Sequence, residues 1–279
     1  MKLLNFLMLV CVISITSCTS DNVEEQINSD LDGLHLVSQV SNSYHSVELF
    51  SPSGNLFLGF NQVSLRIRDL ATNQFITDTQ VSWKPIMQMT NMNHGAPASS
   101  LEKDLDRAGL YSGHIVFTMP ENEQEKWEVV VTFNLDGASY SVEIPVSVQA
   151  TDTHNVTSFQ GSDSKNYVLA LVEPFEPEVA LKDIQMVLYQ TISMHQYVPA
   201  KEYTILLDPR MPGMGNHSSP NNQHLQHYKQ EWYRGKLSLT MTGLWRLNLQ
   251  LVSPQGTVIF GEPVTEDHPQ SSLYFQFDL

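Results

Sequence analysis

Apolar and polar residues alternate with a period of two along most of the chain after residue 33, the pattern of half-buried β-strands. Turn signals such as Asp136-Gly137 separate the alternating runs. Only 99–107 is expected to form a short helix. The clearest predicted strands lie at 63–68, 115–117, 140–148, 167–171, 203–207 and 247–251.

The number and spacing of these runs predict an all-β protein made of two tandem immunoglobulin-like β-sandwiches, with about seven short strands in each. We place the first sandwich at 34–150 and the second at 166–279. The stretch 151–165 is rich in Ser, Thr, Asp and Gly and is interpreted as a linker. Each predicted domain, at about 115 residues, is long enough for its own core.

The first residues indicate export and anchoring. Lys2 precedes an apolar run at 3–15, and Ile15-Thr16-Ser17-Cys18 ends the run with small residues before a cysteine. This arrangement resembles a bacterial lipoprotein signal, with a signal peptide at 1–17, lipidation of Cys18 and a polar spacer at 18–33. The alternative is an ordinary secretory signal that leaves Cys18 as a thiol. The expected location is the cell envelope outside the cytoplasm, at the periplasmic face or the cell surface.

One motif occurs twice, at 89–97 and 211–220. Each copy has two methionines three residues apart, then a histidine, then a proline three residues later. A Tyr-x-Gly, a further methionine and a tryptophan follow each copy at similar distances. In chain order, these residues are Met89, Met92, His94, Pro97, Tyr111, Gly113, Met119 and Trp127 in the first copy, and Met211, Met214, His217, Pro220, Tyr233, Gly235, Met241 and Trp245 in the second.

The motif predicts a soft-metal site. The chain has 11 methionines, and seven of the nine that lie after the leader fall in the two motif regions. The two cysteines, Cys11 and Cys18, both precede the folded part, so a thiolate site and a disulfide are excluded there. Thioethers and imidazoles favour copper, with Cu(I) preferred over zinc. The candidate metal ligands are Met211, Met214, His217, Met241, Met89, Met92, His94 and Met119.

A packing role is the alternative for these residues. The methionines would then cap one end of each sandwich as flexible apolar side chains, and the histidines would hold the loops by hydrogen bonds. The turn signal Pro212-Gly213 would fold the second loop in either case. His224 and His227 could add nitrogen ligands but are more often solvated, and both tryptophans are expected in the core.

Composition narrows the function classes. The net charge is −15 and there is no basic patch, which excludes nucleic acid as an expected partner. The sequence has no nucleophile elbow, P-loop, His-Glu-x-x-His or dinucleotide-binding glycine pattern. We therefore expect no enzymatic activity and no small-molecule substrate.

The order of apolar strands, Met-Pro-x-Met and His motif, Tyr-x-Gly, methionine and tryptophan resembles the YtkA-like and FixH-like extracytoplasmic domains, over roughly 61–148 and 167–251. The second copy is the closer match. The resemblance implies small β-sandwiches in bacterial lipoproteins that handle copper, with a copper-receiving envelope protein as partner.

Two functions remain open from the sequence. The first is a membrane-anchored lipoprotein that binds copper through its Met/His loops and holds or delivers it. The second is an envelope adhesion or scaffold protein, whose tandem domains and methionine-rich loops contact another protein.

Overall fold

The computed structural model describes residues 31–174 and 177–279. The predicted signal peptide, the predicted lipidation site Cys18 and the spacer as far as residue 30 lie outside the described residues. Within them the protein is all-β, as the alternation predicts, with one short 3-10 helix. None of the described residues belongs to a helix long and apolar enough to cross a membrane.

The first half of the folded chain carries eleven strands in three sheets. A five-stranded sheet has the order β1-β2-β4-β8-β7, and a four-stranded sheet has the order β10-β9-β5-β6. Strand β11 pairs in parallel with β3. The strands are β1 (His35–Ser41), β2 (His45–Ser51), β3 (Leu56–Phe57), β4 (Gly59–Asp69), β5 (Val81–Gln88), β6 (Asn93–Gly95), β7 (Glu102–Lys103), β8 (Leu110–Phe117), β9 (Lys126–Leu135), β10 (Ala138–Val146) and β11 (Val148–Gln149).

The second half forms one eleven-stranded sheet with the main path β12-β13-β14-β19-β18-β16-β20-β21. Strands β15, β17 and β22 pair with β14, β16 and β20. The elements are β12 (Val156–Gln160), β13 (Asn166–Glu173), β14 (Leu181–Ser193), β15 (Gln196–Pro199), β16 (Thr204–Met211), the 3-10 helix (Pro212–Met214), β17 (His217–Ser218), β18 (Gln223–Lys229), β19 (Trp232–Ser238), β20 (Leu244–Val252), β21 (Val258–Phe260) and β22 (Leu273–Asp278).

The strand pairings of the two halves correspond. The order β1-β2-β4-β8 matches β12-β13-β14-β19, and β10-β9-β5-β6 matches β22-β20-β16-β17. The internal repeat seen in the sequence is therefore also a repeat of topology. The halves differ at β18, which pairs with both β16 and β19. In the second half β18 therefore joins the two groups of strands into one sheet, whereas in the first half the two groups stay separate.

Each half buries its own apolar core, because alternate residues of both strand groups point to one side. Val63, Leu65 and Val129 are fully buried in the first core, and Leu188 and Leu247 in the second. A third cluster joins the halves, and residues 34–279 form one compact unit. This interface cluster has buried members Val116, Val156, Val168, Ala170, Val187 and Tyr189.

Two predictions about local structure were wrong. The predicted linker 151–165 contains β12, which pairs with β13 from Val156↔Ala170 to Gln160↔Asn166 and therefore belongs to the second half. The apolar residues Val156 and Phe159 give this strand something to bury, which the polar composition concealed. The helix expected at 99–107 is absent, and Glu102–Lys103 instead pairs with β8.

Candidate metal centre

In the first half, the motif forms a row across three strands. Met87 on β5 pairs with His94 on β6 and with Trp127 on β9. Side chains at paired positions lie on one face of a sheet, and the buried Met87 shows that this face is the core face. The His94 and Trp127 rings meet edge to face, with centroids 5.4 Å apart. His94 is thus directed toward the end of the first core.

The two nitrogens of His94 have different surroundings. Nδ1 lies 2.9 Å from the carbonyl oxygen of Gly95. A carbonyl only accepts, so Nδ1 is the donor in this contact, and in the neutral ring Nε2 then carries the lone pair. Nε2 is buried and has no hydrogen-bond partner among the described residues. A neutral imidazole with one nitrogen held by a carbonyl and the other free is the form in which histidine binds a metal.

The other first-half candidates lie in the turns around this row. Met89 and Met92 belong to the turn between β5 and β6, closed by a hydrogen bond from the Met89 N–H to the Met92 carbonyl at 3.0 Å. Met119 lies between β8 and β9, and its carbonyl accepts a hydrogen bond from the Trp127 indole at 3.0 Å. Met89 and Met119 are half-buried against the core, whereas Met92 is exposed.

The second half repeats the row with a different outcome. Met211 pairs with His217. Arg210 pairs with Arg246, so the same register places Met211 beside Trp245. The structural counterpart of Met211 is therefore Met87, not the Met89 suggested by the sequence alignment of the two motifs. Met211 is buried in the second core, but His217 is exposed.

The remaining second-half candidates, Met214 and Met241, are exposed like His217. Pro212–Met214 forms the turn that Pro-Gly predicts, as a 3-10 helix. This turn leaves Met211 inside and Met214 outside, with 58% of Met214 exposed. Met241 is 37% exposed, and it lies after the end of β19. In sequence, the second copy is the closer match to the family pattern. In the structure, it is the histidine of the first copy that is enclosed.

The other repeated motif residues have structural roles in both halves. The Trp245 indole donates to the Met241 carbonyl at 2.9 Å, as Trp127 does to Met119, and both tryptophans are buried as predicted. Tyr111 donates to the Ile76 carbonyl and Tyr233 to the Ala200 carbonyl. A Cβ added at Gly113 would come within 2.7 Å of a serine oxygen, and one at Gly235 within 2.5 Å of a backbone oxygen. These residues fix the scaffold around the candidate ligands.

The histidine pair on β18 is used in hydrogen bonds. His224 Nδ1 accepts from the Leu207 N–H at 3.1 Å, and His227 Nε2 lies 2.7 Å from the Gln230 carbonyl. His224 is exposed, and the described hydrogen bonds of the two rings go to backbone groups rather than to motif methionines. The described contacts therefore give both residues a local role on β18.

Sequence reasoning missed a buried polar cluster between the halves. His114 Nε2 lies 2.7 Å from the Tyr189 hydroxyl and 3.3 Å from Glu231 Oε1. Burial lowers the pKa of His114 to about 3. Burial raises the pKa of Glu231, and burial together with Glu231 raises the pKa of Tyr189. No motif marks these residues, because the cluster exists only where the halves meet.

This cluster lies at the wall of a groove of about 920 Å³ lined by both halves. Phe60 and Trp232 meet edge to face there, with ring centroids 5.6 Å apart, and both pack near His114. The lining includes lysines as well as carboxylates, among them Lys103 and Glu173. The groove therefore has no single sign of charge that would select a ligand.

Among the described residues, no group of three or more histidine, cysteine, aspartate or glutamate side chains is placed to hold a metal ion. Thioether donors are outside that set of residue types. The sequence matches no family model and no curated protein. One solved structure, described as "pT26-6p", aligns with 93% of this chain and 68% of its own, at 9% identity and a TM-score of 0.27. Values this low carry no argument about fold or function.

Proposed function

We propose that this protein is an extracytoplasmic lipoprotein that binds copper as Cu(I) through the Met/His end of its first half, and holds or delivers the ion. The two halves are interpreted as tandem immunoglobulin-like sandwiches of the YtkA-like and FixH-like kind. The strand groups β1-β2-β4-β8 and β10-β9-β5-β6, which share one core, support this interpretation. In this proposal the protein transforms no substrate.

The observation that carries the proposal is the free, buried Nε2 of His94. Leaving a buried polar nitrogen without a partner costs about 1–3 kcal/mol. A metal ion would remove that cost. His45 Nδ1 is also buried without a partner, but its ring contacts are Tyr44, Phe133 and Tyr140 rather than methionines. Of these two described histidines, only His94 combines the free nitrogen with a methionine-rich turn.

The donor set fits a soft cation. Met87 is the cross-strand neighbour of His94, Met89 and Met92 form the adjoining turn, and Met119 is tied to Trp127. The edge-to-face contact with Trp127 limits the orientations open to the His94 ring. A bound Cu(I) ion would supply reversible soft-ligand exchange without a disulfide-forming thiol. His94 would hold the ion through Nε2, while the exposed Met92 leaves a side open for transfer to a partner.

Membrane attachment and the partner complete the proposal. Lipid on Cys18 would tether the folded chain to the envelope, where a copper-receiving envelope protein would meet the exposed turn. Replacing Cys18 by Ser should shift the protein out of the membrane fraction or leave the leader uncleaved. Fractionation and migration like the parent would show that the lipoprotein interpretation is wrong.

The metal site is tested by titrating the folded fragment from Leu34, first with Cu(I) under reducing conditions and then with Zn(II). The variants His94→Ala and His217→Ala are titrated in the same way as a matched pair. His94→Ala should lower Cu(I) affinity at least tenfold, about 1.4 kcal/mol. His217→Ala should change it by less than about threefold, because His217 is exposed and belongs to the second half. Retention of zinc but not copper, or equal losses for both variants, would overturn the proposed site.

A second function is favoured by one observation in the second half. Met214 is 58% exposed and Met241 is 37% exposed, and exposed methionines suit adaptable protein contacts. An envelope adhesion or scaffold role would use this surface. If Met214→Asp abolished binding to an envelope partner while copper affinity stayed at the parental value, the scaffold role would be favoured for the second half.

A further inference from the structure

Gly95, the residue after the candidate ligand His94, is held from three sides. Its N–H donates to the Met194 carbonyl at 2.7 Å. Its carbonyl lies 2.9 Å from His94 Nδ1 and also accepts from the Tyr197 hydroxyl at 2.9 Å. Met194 and Tyr197 belong to the β14–β15 hairpin of the second half. The backbone that orients His94 is thus fixed by the other half of the protein.

The hairpin approaches Gly95 closely, so that an added Cβ would require a neighbour to shift by a few tenths of an ångström. A Cβ at Gly95 would lie 3.3 Å from the Cα of His195 and 3.5 Å from the Met194 carbonyl oxygen. Gly95 is buried, and Tyr197 is half-buried against the interface cluster. Movement of the hairpin would therefore be transmitted to Gly95 directly. The Tyr197 hydroxyl is the only side-chain group of the described second-half residues that hydrogen-bonds to Gly95.

We infer that Tyr197 is a positioning residue for His94, acting through the Gly95 carbonyl, so that metal binding in the first half and contact with the second half are coupled. This inference rests on the proposed copper site. The described hydrogen bond of Tyr197 goes to the Gly95 carbonyl and not to a candidate ligand side chain. It holds the carbonyl that keeps the proton on Nδ1 and leaves Nε2 free. Groups that orient metal-binding histidines in this way typically change metal affinity by about 10–100-fold when removed.

The coupling must act in both directions. If the hairpin contact favours metal binding at His94, metal binding at His94 must strengthen the hairpin contact by the same factor. Cu(I) should therefore slow hydrogen exchange at the Gly95 amide, which donates to Met194 across the halves. Amides of β21, the last strand on the main path of the second sheet, should not respond.

The test compares Tyr197→Phe with Tyr228→Phe in the full chain. Both variants remove one second-half tyrosine hydroxyl, and among the described residues that of Tyr228 bonds to the Gln185 side chain alone, at 2.9 Å. Tyr197→Phe should lower Cu(I) affinity about tenfold, while Tyr228→Phe stays within about twofold of the parent. In the metal-free protein, the ¹⁵N chemical shifts of the His94 ring should move toward mixed tautomers only in Tyr197→Phe. A merely structural role for Tyr197 would not move the tautomer.

The outcomes separate this inference from the proposed function. If the parent binds Cu(I) through His94 and Tyr197→Phe binds equally with an unchanged tautomer, the inference is wrong and the copper site stands. If His94→Ala binds like the parent, both are wrong. Should Tyr197→Phe fail to fold, hydrogen exchange of the parent with and without Cu(I) decides, and an unchanged rate at the Gly95 amide overturns the coupling.

Discussion

The two motif-bearing ends of this protein share a backbone plan and differ in what their side chains can do. In both, a buried methionine pairs with a histidine, and a buried tryptophan donates to a methionine carbonyl. In the first half the histidine turns inward beside Trp127 and keeps a buried free nitrogen; in the second half His217 is exposed. A repeated sequence motif therefore preserves a scaffold more faithfully than it preserves a site.

The shared scaffold gives the largest expected effect. Trp127→Ala and Trp245→Ala should each lower the free energy of unfolding by about 3–5 kcal/mol, because each removes a fully buried indole. Urea denaturation of the fragment from Leu34 measures both. The correspondence of the halves predicts similar losses. A loss below about 1 kcal/mol for either variant would show that its scaffold role is not shared.

The second-largest effect concerns His114, a histidine of the first half that is buried where the two halves meet. Burial lowers the pKa of His114 to about 3, against about 6.5 in the unfolded chain. Between these values the unfolded chain binds more protons, so stability should fall as the pH is lowered from 7 to 4. The raised pKa of Glu231 has the opposite sign and reduces the slope.

We expect this loss of stability to be at least about 1 kcal/mol, on the scale of 1.36 kcal/mol per pKa unit. His114→Gln should flatten the dependence of the melting temperature on pH over this range. The exposed His268 provides the control, and His268→Gln should leave the slope unchanged. Equal slopes for parent and His114→Gln would contradict the prediction.

Met119 and Met241, whose carbonyls accept from the two buried tryptophans, test whether the two halves differ in copper affinity. Met119→Leu should lower Cu(I) affinity about tenfold, equivalent to about 1.4 kcal/mol, whereas Met241→Leu should change it less than threefold. Leucine nearly conserves volume, so the metal-free melting temperatures should stay close to the parent. Equal effects of the two substitutions on competition with a Cu(I) chelator would remove the distinction between the halves.

The smallest effects are expected within the second motif. Met211→Leu should cost less than about 1.5 kcal/mol, because Met211 is buried and leucine can repack. Met214→Leu should stay within about 0.5 kcal/mol, since the side chain is exposed. Thermal unfolding distinguishes the two. If Met214→Leu were the more destabilising, the exposed position of Met214 would be contradicted.

Much of the fold could be predicted from the alternation alone. The strands containing 63–68, 115–117, 167–171 and 247–251 were located by their period of two, because one face of each strand must be buried. The run predicted at 140–148 covers most of β10, which ends at Val146, and the first residue of β11. Composition misled where the pattern was short: β12 lies in a polar stretch predicted to be a linker, and the segment containing Glu102–Lys103 was predicted to be helical. In β12 the apolar residues Val156 and Phe159 are three positions apart and break the period of two, and Glu102–Lys103 is only two residues long.

The sequence by itself determined an all-β chain, its internal repeat, and the collection of methionines and histidines in two turns. These features depend on neighbours a few positions apart. Only the tertiary structure decided that Met211 corresponds to Met87, that His94 is enclosed while His217 is exposed, and that His114, Tyr189 and Glu231 meet. Cross-strand register and contacts between the halves set these relations, and residues up to 117 positions apart in sequence, such as His114 and Glu231, carry no local signal of them.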